Sequence, residues 1–197
     1  MTPSDLQKTF AHIPRLQTPR LILRAMHTRD AADMYDYAKT EQATRYLSWR
    51  PHSNLSMTKS YLATVKSRYR KGTLFDWAIE ERATGRMIGT CGFVGFDTQN
   101  QSAEIGYVLH PAFWGQGLMP EAVGAVLTFA FEVLGLNRIT AQYMVANAQS
   151  RRVMEKVGMS FEGIQRQSLL RDGIFEDLGK CAILRSDYFA NAERNFR

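Results

Sequence analysis

Residues 104–121 read Glu-Ile-Gly-Tyr-Val-Leu-His-Pro-Ala-Phe-Trp-Gly-Gln-Gly-Leu-Met-Pro-Glu, and the order of their apolar, glycine and proline positions decides the fold. Ser102, Glu104, Gly106 and Val108 alternate with Ala103, Ile105, Tyr107 and Leu109, the period of two that a strand imposes. The His110-Pro111 pair ends that strand, because proline cannot donate to a ladder and pushes the residue before it out of the helical region. Gly115 and Gly117 then flank Gln116, and Pro120 suits the first position of a helix. Beyond it Val123, Val126, Leu127, Ala130, Phe131 and Leu134 fall on one helical face. The stretch therefore predicts a strand, a glycine-containing loop and a helix start, in that order.

A helix start offers unpaired backbone N–H groups and the positive end of a dipole, and glycine lets a phosphate approach the main chain closely. A dinucleotide-binding reading would want a third glycine or alanine where Pro120 stands, and an acid about 20 residues further on. Pro120 is neither, the strand that follows, near Arg138-Ile-Thr-Ala-Gln-Tyr143, has no such acid, and the Gly-Lys-Ser/Thr of a Walker loop is absent too. On the residues alone, an anion cradle and a plain strand-to-helix turn both fit.

With its flanks, the stretch resembles the GNAT superfamily of acetyl-CoA-dependent N-acetyltransferases. Trp114-Gly-Gln-Gly-Leu-Met119 lies over the family's Arg/Gln-x-x-Gly-x-Gly/Ala signature; Gly117 matches the fixed glycine, while Trp114 and Met119 depart from it. The Trp-Gly-x-Gly-Leu-Met-x-Glu-Ala wording is similar to the ribosomal-protein-alanine N-acetyltransferase branch. So are Thr18-Pro-Arg-Leu-Ile-Leu-Arg24, Asn147-Ala-Gln-Ser150 and Gly158-Met-Ser-Phe-Glu-Gly163, and the resemblance spans Thr18 to Tyr188. It implies an α/β (α+β) single domain: a mixed, mostly antiparallel twisted sheet flanked by helices, with a splayed central strand.

Composition sets the bounds. A chain of 197 residues suits one domain with a real core, and 45% apolar with 22% charged residues is ordinary for a soluble globular protein. No apolar run approaches a membrane span, and the first twenty residues lack a signal peptide's apolar region. Cys91 and Cys181 make neither a disulfide framework nor a zinc site; they read as buried thiols in a reducing cytoplasm, and no metal is expected. The net charge of +6 is spread along the chain, with short clusters such as Arg68-Tyr-Arg-Lys71 and Arg151-Arg152. That argues against a nucleic-acid binder, which would show a basic stripe and a recognisable module. The charge suits an anionic cofactor.

Along the chain, residues 1–17 have little periodicity and are expected to be a loose lead-in, with the domain over 18–190 and a tail over 191–197. Arg20–Met26 reads as a strand. Thr28, Asp30 and Asp33 mark a helix start that buries Met34 and Tyr37, and Ser56 is the expected cap of a second helix carrying Tyr61, Leu62, Val65 and Tyr69. Residues 74–81 and 86–96 predict an antiparallel pair, with Gly89, Gly92 and Gly95 suggesting bulges or close backbone approach. Arg138–Tyr143 reads as a strand, Asn147–Val157 as a helix stopped by Gly158, and Arg171-Asp-Gly173 as the turn of a final hairpin.

Acyl transfer from a thioester to an amine needs an unprotonated amine, an oriented thioester, oxyanion stabilisation and a proton for the leaving thiolate. Glu104 shares a strand face with Gly106 and is the candidate base, though a solvent-facing carboxylate fits the pattern as well. The resemblance implies that the strand opens beyond this point, splayed by a bulge. Main-chain groups of Val108, Leu109 and His110 would pair with the pantetheine arm, and the N–H of Val108 or Leu109 would meet the oxyanion. It also implies that Trp114, Gly115, Gln116, Gly117, Leu118 and Met119 hold the pyrophosphate, with Pro120 contributing no donor. Asn147 and Ser150 would contact the cofactor and Ser150 would protonate the thiolate, while by residue type both also suit a helix cap and first turn. Some relatives carry a glutamate after Gly163 that is implicated as a base; Gln165-Arg-Gln-Ser-Leu-Leu170 has none. The resemblance implies a primary amine as acceptor, a protein N-terminus or a small molecule such as a polyamine or antibiotic; a silent CoA-binding module is a further alternative. Trp49, His52, Phe75, Trp77 and Phe93 could line its site or be core. A homodimer is compatible with this reading.

Overall fold

The alternating residues 102–109 form the fifth strand of an eight-stranded sheet in the computed structural model, which describes residues 2–194. In chain order the elements are helix α1 (Pro3–Ala11), strands β1 (Leu16–Gln17) and β2 (Leu21–Arg24), and helices α2 (Ala31–Ala38), α3 (Glu41–Thr44) and α4 (Leu55–Arg70). Strands β3 (Phe75–Glu81), β4 (Met87–Asp97) and β5 (Ser102–Leu109) follow, then α5 (Leu118–Thr128), β6 (Arg138–Met144) and α6 (Ala148–Lys156). Strands β7 (Ser160–Arg171) and β8 (Ile174–Leu184) and helix α7 (Arg185–Arg194) complete the chain.

The sheet order is β1-β2-β3-β4-β5-β6-β8-β7. Neighbours pair antiparallel except β5 and β6, which run parallel because α5 crosses between them. That parallel pairing lasts only from Ser102↔Arg138 to Ile105↔Ala141. Past Ile105 the two strands part, with β5 held by β4 and β6 by β8. The splay is the expected one, and the bulge beside it lies on β4, where the register shifts between Phe93 and Gly95.

Both faces of the sheet are covered. On one face Phe10, Trp77, Phe93, Ile105, Leu118, Val123 and Phe131 belong to one core; on the other Met34, Tyr37, Leu62, Val65 and Ala78 form a second. Three of the aromatics considered as lining residues fall in the first core: Phe10 stands edge-on to Phe75 at 4.9 Å, to Trp77 at 5.5 Å and to Phe93 at 6.1 Å. No helix among the described residues is long and apolar enough to cross a membrane.

The expectation of a loose lead-in is corrected here. Thr2 and Asp5 make a capping box, Pro3 opens α1, and Leu6 and Phe10, one turn apart, are buried, Phe10 completely. Phe10 pays the ordering cost of this helix by sitting among five aromatic rings. The tail at 191–197 is helical through Arg194, and its last three residues lie outside the described ones. Ser56 is inside α4 rather than its cap; Asn54 accepts from the Met57 N–H at 2.9 Å. Pro120 is the third residue of α5, whose cap is Gly117.

Candidate active site

Where β5 and β6 part, a cleft of about 1230 Å³ opens, lined by the end of β5, the loop into α5, the start of α6 and residues 41–48. Its chemistry follows from which backbone groups the ladder leaves over. The His110 N–H donates to the Ile88 carbonyl at 2.7 Å, so His110 faces β4. Antiparallel alternation then turns Val108 and Gly106 toward β4 as well, and turns Tyr107 and Leu109 toward the gap. The Gln101 carbonyl, which accepts from Asn137 N–H at 2.8 Å, fixes the same phase from the other end of the strand. Of the two candidate oxyanion donors, Leu109 therefore faces the cleft, whereas the Val108 N–H is spent on its partner Thr90.

The loop after β5 is braced and open. Trp114 Nε1 donates to the Leu109 carbonyl at 2.8 Å, tying the loop back to the strand end. Gly115 and Gly117 hold φ at 77° and 75°, the left-handed region that glycine enters without penalty. Leu118 and Met119 bury their side chains in the core and leave their main chain to the cleft. No acceptor among the described residues takes the N–H of Gly115, Gln116, Gly117, Leu118 or Met119; the first intrahelical bond is Glu121 N–H to the Gly117 carbonyl, 3.2 Å. These free donors at a helix start, beside glycines whose missing Cβ would meet nothing closer than Arg20 Nη2 at 3.6 Å, fit a diphosphate.

Arg20 and Glu121 support this cradle. Arg20 Nη1 donates to the Gln116 carbonyl at 2.9 Å, and its Nε donates to Glu121 Oε2 at 2.6 Å. Glu121 Oε1 also accepts from Thr18 Oγ1 at 2.6 Å and from the Arg20 N–H at 2.9 Å. Burial pushes the Glu121 carboxyl up, but the hydrogen bonds from Thr18 and Arg20 outweigh it and hold the group below its ordinary value. The Thr-Pro-Arg wording of residues 18–20 thus serves a structural link across the sheet that sequence spacing alone could not show.

On the α5–α6 side of the gap, Ser150 Oγ lies 2.9 Å from Tyr107 Oη, and the phenol also reaches the Ser150 carbonyl at 3.1 Å. Burial raises the Tyr107 pKa, and the Ser150 hydroxyl partly offsets the rise. Tyr107 was no candidate from the sequence; it follows from the strand phase that points Tyr107 and Leu109 to one face. Asn147 Oδ1 accepts from the Ser150 N–H at 3.1 Å, so Asn147 does cap α6 while both residues line the cleft.

Glu104 lines the cleft from the other face of the sheet, the face on which Val108 packs against the α2–α4 core. The room beside Gly106 is shared with Val94 at the bulge: a Cβ on Gly106 would lie 2.9 Å from Val94 Cγ2. Two candidate residues turn their side chains elsewhere. His110 leaves the cleft, its Nε2 3.2 Å from Asp36 Oδ2 and its Nδ1 accepting from the Ala112 N–H at 3.1 Å, because its position caps the short turn 111–113. The Gln116 side chain donates to the Ala112 carbonyl at 3.1 Å, leaving only its backbone N–H to the cradle. Trp49 and His52 stand against each other at 5.2 Å outside the lining, which takes Tyr46 and Leu47 from that loop instead.

Comparison with known proteins agrees with this geometry. The family model described as acetyltransferase (GNAT) domain matches residues 20–160. The chain is 32% identical to the uncharacterized N-acetyltransferase YoaA of Bacillus subtilis, over 87% of this chain and 97% of that one. It is 27% identical to the [ribosomal protein uS5]-alanine N-acetyltransferase of Escherichia coli, over 88% and 92%. A GNAT-family acetyltransferase structure from Bacillus anthracis superposes with a TM-score of 0.79 at 23% identity, covering 88% of this chain and 99% of that one. The chain belongs to the GNAT family and is an acetyl-CoA-dependent N-acetyltransferase.

Proposed function

We propose that the enzyme acetylates the α-amine of a protein N-terminus, with Glu104 as the base and Ser150, held by Tyr107, as the acid. The observation that carries this reading is the placement of the two groups on opposite faces of the sheet, with the β5–β6 gap and the Leu109 N–H between them. In the transfer, the amine nitrogen bonds to the thioester carbonyl carbon and the carbon–sulfur bond breaks. Glu104, directly or through a water, takes the proton that the ammonium must lose. The Leu109 N–H donates to the carbonyl oxygen as it becomes negative, in a site where one such donor contributes about 3 kcal/mol. Ser150 delivers a proton to the sulfur and regains one from water in the open cleft, which also takes up the nitrogen's second proton as the amide forms, while Tyr107 Oη, 2.9 Å away, holds Oγ in place. The free N–H groups of residues 115–119 hold the diphosphate of acetyl-CoA, which supplies the activated acetyl group.

Two considerations favour an α-amine. An N-terminal amine has a pKa near about 8 against about 10.4 for lysine, so a carboxylate base acting at a distance suffices for the former and is strained by the latter. The E. coli relative is named as an N-acetyltransferase for alanine of ribosomal protein uS5. Release of free thiol from acetyl-CoA, measured against peptides copying ribosomal-protein N-termini and against a polyamine and aminoglycoside panel, tests the assignment. Peptides should be acetylated at the α-amine with the higher kcat/KM; exclusive turnover of the small amines would overturn it.

A further inference from the structure

The buried Asp30 and the half-buried Glu80 both sit against Arg24. The half-buried Asp76 on β3 does not. It has no ion-pair partner among the described residues, and its Oδ1 is buried without a hydrogen-bond partner. Burial pushes its pKa up to about 7, against the opposing pull of the Thr90 hydroxyl, the Trp77 N–H and the more distant Arg68. A second orphan is the fully buried Tyr37 on α2, whose Oη also lacks a partner and whose phenol feels Asp76 as its strongest neighbouring charge. Tyr61 on α4 feels the same carboxylate, and the Tyr69 hydroxyl donates to the Asp76 carbonyl at 2.6 Å. A carboxylate without an ion-pair partner has the chemistry of a cation site.

The sheet connects this group to the cleft. Asp76 pairs with Gly92 and Gly92 with Gly106, so the three stand in one row across β3, β4 and β5. Paired residues share a face, and here it is the face that carries Glu104. Two of the three positions have no side chain. A Cβ on Gly92 would lie 2.4 Å from the Asp76 Cα and the Phe75 carbonyl oxygen and 2.8 Å from Asp76 Oδ1, so β3 presses close on Gly92 and the carboxylate lies beside it. Gly106, at the other end, lines the cleft beside Glu104. Two strand spacings separate the ends, about 10 Å.

We propose that Asp76 anchors a second positive charge on the acceptor, about 10 Å from the amine that is acetylated and reached across Gly106 and Gly92. The proposal rests on the acetyl-transfer reading of the Glu104 side of the cleft. It defines the acceptor as a dication, either a linear diamine or a peptide N-terminus followed closely by lysine or arginine. Each source has its own arm in the test. One arm compares 1,8-diaminooctane with 1-aminooctane; the other compares tetrapeptides with lysine or norleucine at the third position. Thiol release gives kcat/KM for each, and calorimetry on the protein loaded with CoA gives binding of the same probes.

In the wild type the dicationic member of at least one pair should be preferred by about tenfold or more, the effect of one charge-assisted contact. In Asp76→Asn, which keeps a partner for Thr90, that ratio should fall to near one. Binding of CoA to the variant, by the same calorimetry, verifies that it is folded. Equal use and equal binding of both members of both pairs by the wild type would overturn the proposal, as would a wild-type ratio in Asp76→Asn. If no amine is turned over, the acetyl-transfer roles fail separately, and the calorimetric ratios still decide for or against Asp76.

Discussion

Tyr107→Phe isolates the proton donor from the architecture that carries it. The substitution keeps the ring, which packs against the core around α5, and removes only the hydroxyl that meets Ser150 Oγ at 2.9 Å and the Ser150 carbonyl at 3.1 Å. Loss of a neutral hydrogen bond of this kind costs about 1 kcal/mol, and neither Ser150 atom is stranded because both line the open cleft. For a chain of this size that lowers Tm by about 2–4 °C. Affinity for CoA should change by less than about threefold, because the diphosphate cradle at 115–119 does not involve the phenol. Turnover should fall much more. A positioned acid contributes about 100-fold or more, and Ser150 without its partner loses the contact that orients its hydroxyl. We expect kcat to drop about 10- to 100-fold, with Ser150→Ala giving a similar loss and the double variant little further loss, since the two act as one unit. The assay is thiol release with acetyl-CoA in saturation, alongside calorimetry with CoA. A wild-type kcat for Tyr107→Phe, or losses that multiply in the double variant, would refute the pairing of Tyr107 with Ser150.

Further outcomes follow from the same geometry. Glu104→Gln should lower kcat/KM most near neutral pH and recover as the pH rises past about 8, where the acceptor amine loses its own proton; a uniform loss across a pH–rate profile would contradict a base role. Glu121→Gln should weaken CoA binding about tenfold by releasing Arg20 from the Gln116 carbonyl, read by calorimetry. Because the folded-state pKa of Glu121 is held below its unfolded value, its contribution to stability is present above about pH 4.3 and fades as the pH falls through the folded value. Acid-unfolding curves of wild type and Glu121→Gln should therefore converge at low pH and separate near neutrality; parallel curves would count against the link. Gly179→Ala should destabilise by about 1–3 kcal/mol, because the new Cβ would come within 2.6 Å of Tyr143 Oη and the ring is packed, and an unchanged Tm would show that Tyr143 yields freely.

Local chemistry made much of this protein readable. The period of two over residues 102–109, the glycines at 115 and 117, the Asn147 cap and the Asp172-Gly173 turn each act within a few residues, and each stands where its chemistry requires. Gly92 and Gly95 were legible as close approach and bulge for the same reason. What escaped the reading depends on distance in sequence. Helix α1 buries two side chains, too few for periodicity, and its order comes from rings contributed by residues 75–129. The Tyr107–Ser150 contact spans 43 positions and the Arg20–Glu121 pair 101, so neither leaves a spacing to find. His110 and Val108 were candidate donors because strand phase relative to β4 is invisible until the partner is known. Asp76 drew no notice as one acid in an apolar strand, and acquires meaning only beside Gly92 and Tyr37.

The central claim is that main-chain amides facing the β5–β6 gap and the start of α5 bind acetyl-CoA. Residue-resolved amide hydrogen exchange, recorded by NMR with and without CoA, addresses it directly. The account predicts new protection at Leu109 and at Gly115, Gln116, Gly117, Leu118 and Met119, with Val108, already paired to Thr90, unchanged. Protection confined to other parts of the chain, or none on addition of saturating CoA, would contradict it.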